Sequence, residues 1–152
     1  MTKRILLILI GASLLLLLVI AQKNAKQARW QAMSKGCEQS LLRLGQSAQK
    51  WAKEHQGTLP PDLMSLTNQL GSPVALICPA DGRKIYQVNR ETWQGFDFKS
   101  ASYEFLAPGK SIRQVRTQAV FRCQVHKHEC DGGGKVTLQP LPPPPKNLGI
   151  YE

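Results

Sequence analysis

Charge is missing from a run of residues near the start of this chain, and proline is missing from its first third. From Ile5 to Ala21 the sequence reads ILLILIGASLLLLLVIA, with no ionisable group and only Ser13 as a polar side chain. No proline occurs before Pro60, so nothing in that stretch forces a helix to break. The elements of familiar catalytic machinery are absent too. There is no Ser/His/Asp set, phosphate-binding loop, pair of carboxylates or haem-type Cys-x-x-Cys-His run, and an enzyme is not expected. No internal repeat is apparent, and no cofactor is expected.

What is present divides 152 residues into a short leader, an apolar run, one domain and a tail. Residues 1–4 are a basic leader. Residues 5–21 would span about 25 Å as a helix, enough for the hydrocarbon core with snorkelling flanks. They read as a transmembrane helix or signal-anchor. Val19-Ile20-Ala21 before Gln22 offers a rival signal-peptidase site, and the retained anchor is the preferred reading. Residues 1–54 carry nine Lys/Arg against Glu38 and Glu54, whereas the remainder carries eleven against eight. The surplus therefore sits beside the apolar run, where Lys23, Lys26, Arg29 and Trp30 suit a membrane interface and lipid headgroups. Nucleic acid is not expected as a partner, because the basic residues do not gather on the folded domain. Positive charge flanks the apolar run on both sides and leaves orientation open. Four cysteines in a small domain favour an oxidising compartment, hence an inner-membrane, single-pass protein with a periplasmic C-terminal domain.

The spacing predicts a helix over 22–56, its apolar stripe running through Cys37, Leu41, Leu44, Ala48, Trp51 and His55, widened by Leu42 and Ala52. Gly36 and Gly45 read as soft spots in it, and Gly57 with Pro60-Pro61 ends it. A second short helix is expected over Asp62–Leu70. Strands are expected over Val74–Cys78, Lys84–Val88, Ser102–Leu106, Gln118–Val125 and Lys135–Gln139, with Asp131-Gly-Gly-Gly134 as a hairpin connection. The fold class is α+β: a long N-terminal helix, membrane-embedded first, packed on a small antiparallel sheet in region 74–139. Residues 140–152 form a Pro-rich tail in extended polyproline.

That architecture resembles type IV pilins and type II secretion pseudopilins. The residues that carry the likeness are Cys37-Glu-Gln-Ser-Leu-Leu-Arg-Leu-Gly-Gln-Ser-Ala-Gln-Lys-Trp-Ala, His55-Gln-Gly-Thr-Leu-Pro-Pro, Ile77-Cys-Pro-Ala-Asp81 and Ser102-Tyr-Glu-Phe105. They look like the ectodomain of a large bacterial group of pilin-like proteins, and residues 37–106 are covered by the likeness. The stretch Cys123–Val136 is similar to the Asp-Gly turn that closes such domains. The processed-prepilin motif is missing. The only early glycine, Gly11, lies inside the apolar run, and Leu16 stands where a glutamate would follow it. The resemblance implies a non-enzymatic component, pilin- or pseudopilin-like, of a secretion or type IV pilus-type assembly. Its partners would be other pilin-like subunits or secretion-assembly proteins, and no small-molecule ligand is expected.

Four cysteines allow three pairings. Cys37–Cys78 with Cys123–Cys130 is preferred: the first ties the helix to the loop behind it, and the second closes a hairpin. On a chain-entropy basis they would contribute about 4 and about 2.5 kcal/mol. The alternative is a periplasmic binding module that holds metal through residues 123–130, with Cys123, His126, His128 and Cys130 as ligands. In an extended strand Cys123 would face away from the other three, so only a tight turn could make these donors converge. His55 reads as a packing residue, and Asp131 alone offers too few oxygens for calcium.

Overall fold

In the computed structural model, residues 2–82, 84, 88 and 91–145 are described, with side chains from Leu9 onward. The first helix, α1, runs Thr2–Glu54. The chain forms two compact units: residues 1–32 with 143–152, and residues 33–142. In the first, the apolar side chains from Leu9 to Ile20 are exposed, and α1 contains one segment long and apolar enough to cross a membrane. Lys23 and Arg29 are exposed and Lys26 is half-buried, but Trp30, expected at the membrane interface, is buried.

In the second unit the 3.6-residue period puts Cys37, Leu41, Leu44, Ala48 and Ala52 on one buried face of α1. Trp51 is half-buried and His55 is exposed. The imidazole stacks on the Trp51 indole at 3.8 Å and its Nδ1–H donates to the Trp51 carbonyl at 2.8 Å. The expected stripe therefore ends at Ala52, one turn early.

The face of α1 packs on a four-stranded antiparallel sheet ordered β1 (Tyr103–Phe105), β2 (Ala119–Cys123), β3 (Glu129–Asp131), β4 (Val136–Thr137). The α+β architecture is thus as the sequence reading has it. Phe105 and Phe121, paired across β1 and β2, stack at 4.9 Å beneath the helix. Full burial of each large apolar side chain here, such as Leu41, Leu44 or Phe121, contributes about 1.5–3 kcal/mol.

Three expectations need correction. Val74–Cys78 is not a strand: Pro73 opens a 3-10 turn over Pro73–Leu76, and the Ser72 hydroxyl accepts from the Val74 N–H. The run from Ala75 to Cys78 is buried throughout, and an unbroken buried run carries no period to separate strand from helix. Asp62–Leu70 splits into a 3-10 turn, Met64–Leu66, and a single helical turn, α2 (Thr67–Leu70), which stops at Gly71 in the left-handed region. An unexpected strand, β3, follows β2 after a tight turn. Most of the expected strand Lys84–Val88 lies outside the described residues.

On the outer face of the sheet Arg122 bonds Glu129 at 2.7 Å and approaches Glu104 at 3.9 Å. These groups are well solvated, so Arg122→Ala should lower stability by less than about 1 kcal/mol in thermal denaturation. A larger loss would mean that this ion cluster organises the sheet.

Candidate metal centre

Three distant parts of the sequence deliver Cys37, Cys78, Cys123 and His126 to one buried point. Their donor atoms all lie within 4.8 Å of one another. Cys37 comes from the buried face of α1. Cys78 follows the 3-10 turn and is held by backbone on both sides. The Ser102 N–H donates to the Leu76 carbonyl at 2.9 Å, and the Asp81 N–H to the Cys78 carbonyl at 2.8 Å. The Ser102 hydroxyl then donates to Asp81 Oδ2 at 2.9 Å, fixing that loop to β1. Gly36 lets the loop approach the helix: a Cβ there would lie 3.0 Å from Pro79 Cγ.

Cys123 ends β2 facing inward, opposite Tyr103. The next residues turn sharply. Lys127 takes φ 62°, its N–H donates to the Cys123 carbonyl at 2.9 Å, and the Cys123 N–H donates to the His128 carbonyl at 2.8 Å. This turn brings the His126 ring back over Cys123. Its Nδ1 lies 3.4 Å from Cys78 Sγ and 4.0 Å from Cys123 Sγ, and the His126 backbone N–H donates to Cys123 Sγ at 3.4 Å.

Crowded thiols in a dry pocket shift one another's titration in opposite directions. Cys123 is pushed well below the ordinary thiol range because Cys37 and Cys78 donate hydrogen bonds to its sulfur, with His126 adding to the effect. Its neighbours shift the other way. The Cys123 contact raises Cys37 to about 12, and contacts with Cys123 and Cys37, then burial, raise Cys78. Burial, then the neighbouring Cys37 and Cys78 sulfurs, raises Tyr103 as well.

All four cysteines are free thiols. Neither Cys37–Cys78 nor Cys123–Cys130 is a disulfide here. Cys37 and Cys78 do meet, as the first pairing requires, but Cys123 joins them, and two sulfurs cannot bond without leaving the third behind. Cys130, buried on β3, faces α1, so that a Cβ on Gly45 would lie 2.6 Å from its sulfur. Burial, then the Asp131 charge, raises its thiol to about 12.

The expected ligand set of Cys123, His126, His128 and Cys130 is therefore divided, because the turn at Lys127 sends the chain back along β3. His128 is buried, and its ring bonds Ser34 Oγ at 2.8 Å through Nε2. Its Nδ1 accepts from the Gln139 N–H at 3.0 Å, so the ring is neutral with its proton on Nε2. Burial, then the neighbouring His126, lowers its pKa in the same sense. Asp131 serves a turn, its carboxylate accepting from the Lys135 N–H at 2.8 Å. No family model matches this chain, and no curated protein or solved structure shows significant similarity to it.

Proposed function

We propose that this chain is a non-enzymatic, membrane-anchored protein of pilin-like build, serving as a structural component of a secretion or type IV pilus-type assembly. The observation that carries this reading is α1 itself. From Leu9 to Ile20 its apolar side chains are exposed, and from Cys37 to Ala52 one face is buried against a small antiparallel sheet. An exposed apolar helix surface of that length is costly in water and stable in lipid. The anchor is assigned to the bacterial inner membrane and, on the pilin-like build alone, residues 33–142 to the periplasm, since four free thiols do not argue for an oxidising compartment. Lipid headgroups would meet Lys23, Lys26 and Arg29, whereas Trp30 is covered by protein. Other pilin-like subunits are the expected protein partners.

The test is isolation of the full chain from native membranes in mild detergent. Pilin-like subunits should accompany it through purification, and a monodisperse monomer without such company would overturn the assignment to an assembly. Anchoring is checked separately. Deleting residues 2–21 should move the protein from the membrane pellet to the soluble fraction, and persistence in the pellet would contradict it.

A further inference from the structure

We propose that Cys37, Cys78, Cys123 and His126 form a closed tetrahedral site for one zinc ion, which fastens α1, the Cys78 loop and the β2–β3 turn to one another. The inference does not depend on the pilin-like reading.

The donor distances fit zinc. Zinc bonds of about 2.3 Å to sulfur and about 2.0–2.1 Å to nitrogen, at tetrahedral angles, set edges of about 3.6 Å for S···N and about 3.8 Å for S···S. The sulfurs of Cys78 and Cys123 lie 3.4 and 4.0 Å from His126 Nδ1, on either side of that edge, and no pair among the four donors exceeds 4.8 Å. Only small side-chain adjustments separate this arrangement from a coordination shell.

The donor types fit zinc as well. Three cysteines and one histidine are a familiar structural zinc set, and a mainly sulfur donor set excludes magnesium and calcium. Each of the four is 0 % exposed, so no coordination position opens to solvent, and the site is suited to holding the fold rather than to catalysis. Zinc entry displaces the thiol protons to water. It leaves three thiolates and a neutral imidazole around Zn²⁺, with a net charge of one negative. The His126 N–H on the Cys123 sulfur is already placed to offset part of that charge.

A disulfide would serve this pocket less completely than a metal. Joining any two of the three sulfurs strands one buried thiol against a buried imidazole, whereas a metal uses all four donors. Cys-Gln-Val-His126, with its N–H···S bond and the left-handed residue after it, gives one close pair of ligands. Cys37 and Cys78, from two separate segments, complete the set.

The experiment uses the full chain in detergent, purified reduced and metal-free, and titrated with Zn²⁺ against a chromophoric chelator. One zinc should bind per chain. Cys123→Ser and His126→Ala should each weaken binding by at least about a hundredfold, more than loss of an outer-shell contact would. Cys130→Ala should retain it. Should a ligand variant fail to fold, Co²⁺ added to the unmutated chain gives an independent reading: intense sulfur-to-metal charge transfer with tetrahedral ligand-field bands. The proposal is overturned if the reduced chain binds no stoichiometric zinc, if Cys130→Ala loses zinc as fully as Cys123→Ser, or if Co²⁺ binds without thiolate charge transfer.

Discussion

Stripping zinc from the chain should unfold the 33–142 unit rather than merely loosen it. Structural zinc contributes apparent binding energies of about 10–16 kcal/mol at neutral pH, against net domain stabilities of about 5–15 kcal/mol. The core here is small and no disulfide supports it, so a large share of the folding energy would reside in the metal. Near-ultraviolet circular dichroism of the full chain in detergent should show a cooperative melt that collapses on chelation and returns when Zn²⁺ is added back. The midpoint should rise with free zinc as mass action requires. Acid should imitate the chelator. Coordination holds the ligand thiols below their unfolded value of about 8.5, so the stabilisation is present above that value and is lost as pH falls and protons compete for sulfur. An identical melt with and without chelator would show that the cluster contributes nothing to the fold.

The parts of this structure that were legible in sequence are those governed by local periodicity. Cys37, Leu41, Leu44, Ala48 and Ala52 follow the helical repeat and are buried as it requires. Strands β1, β2 and β4 fall within segments marked by β-branched or aromatic residues and bounded by turn signals. Where a turn carried no glycine or proline, the reading failed. Lys127 takes a left-handed conformation that its side chain does not advertise, and both β3 and the division of the nearby histidines and cysteines follow from it. The candidate metal site lay hidden for a related reason. Four possible ligands lie within eight residues and read as a set, but the turn at Lys127 sends His128 and Cys130 elsewhere. The site's other two donors, Cys37 and Cys78, are the pair that the sequence reading places together as a disulfide. A structural zinc site drawn from separated pairs of ligands was the pattern that would have joined the two halves.

Gly45 carries the last prediction, and it runs against helix propensity. In an exposed helix, replacing glycine by alanine gains about 1 kcal/mol. At this position an added Cβ would lie 2.6 Å from Cys130 Sγ and 3.6 Å from Gly134 Cα. Both neighbours have little freedom to retreat. Cys130 is 0 % exposed on β3, and Gly134, at φ +84°, closes the turn that leads into β4. A Cβ on Gly134 in its turn would lie 2.7 Å from Gln49 Nε2, one turn farther along α1, and the Gln49 amide donates to the Gly132 carbonyl at 3.2 Å. The glycine is thus a point of close approach between the helix and the β3–β4 turn. Gly45→Ala should cost about 1–3 kcal/mol through overpacking, and Gly45→Val at least as much, because β-branching adds bulk on the same side. A double-mutant cycle with Cys130→Ala identifies the cause. Removing the sulfur relieves the nearest contact, so Gly45→Ala should be much milder in that background, with a coupling energy of about 0.5–3 kcal/mol in urea denaturation. Additive effects of the two substitutions would place the strain elsewhere, and a stabilising Gly45→Ala would show that the helix does not meet β3 at this point.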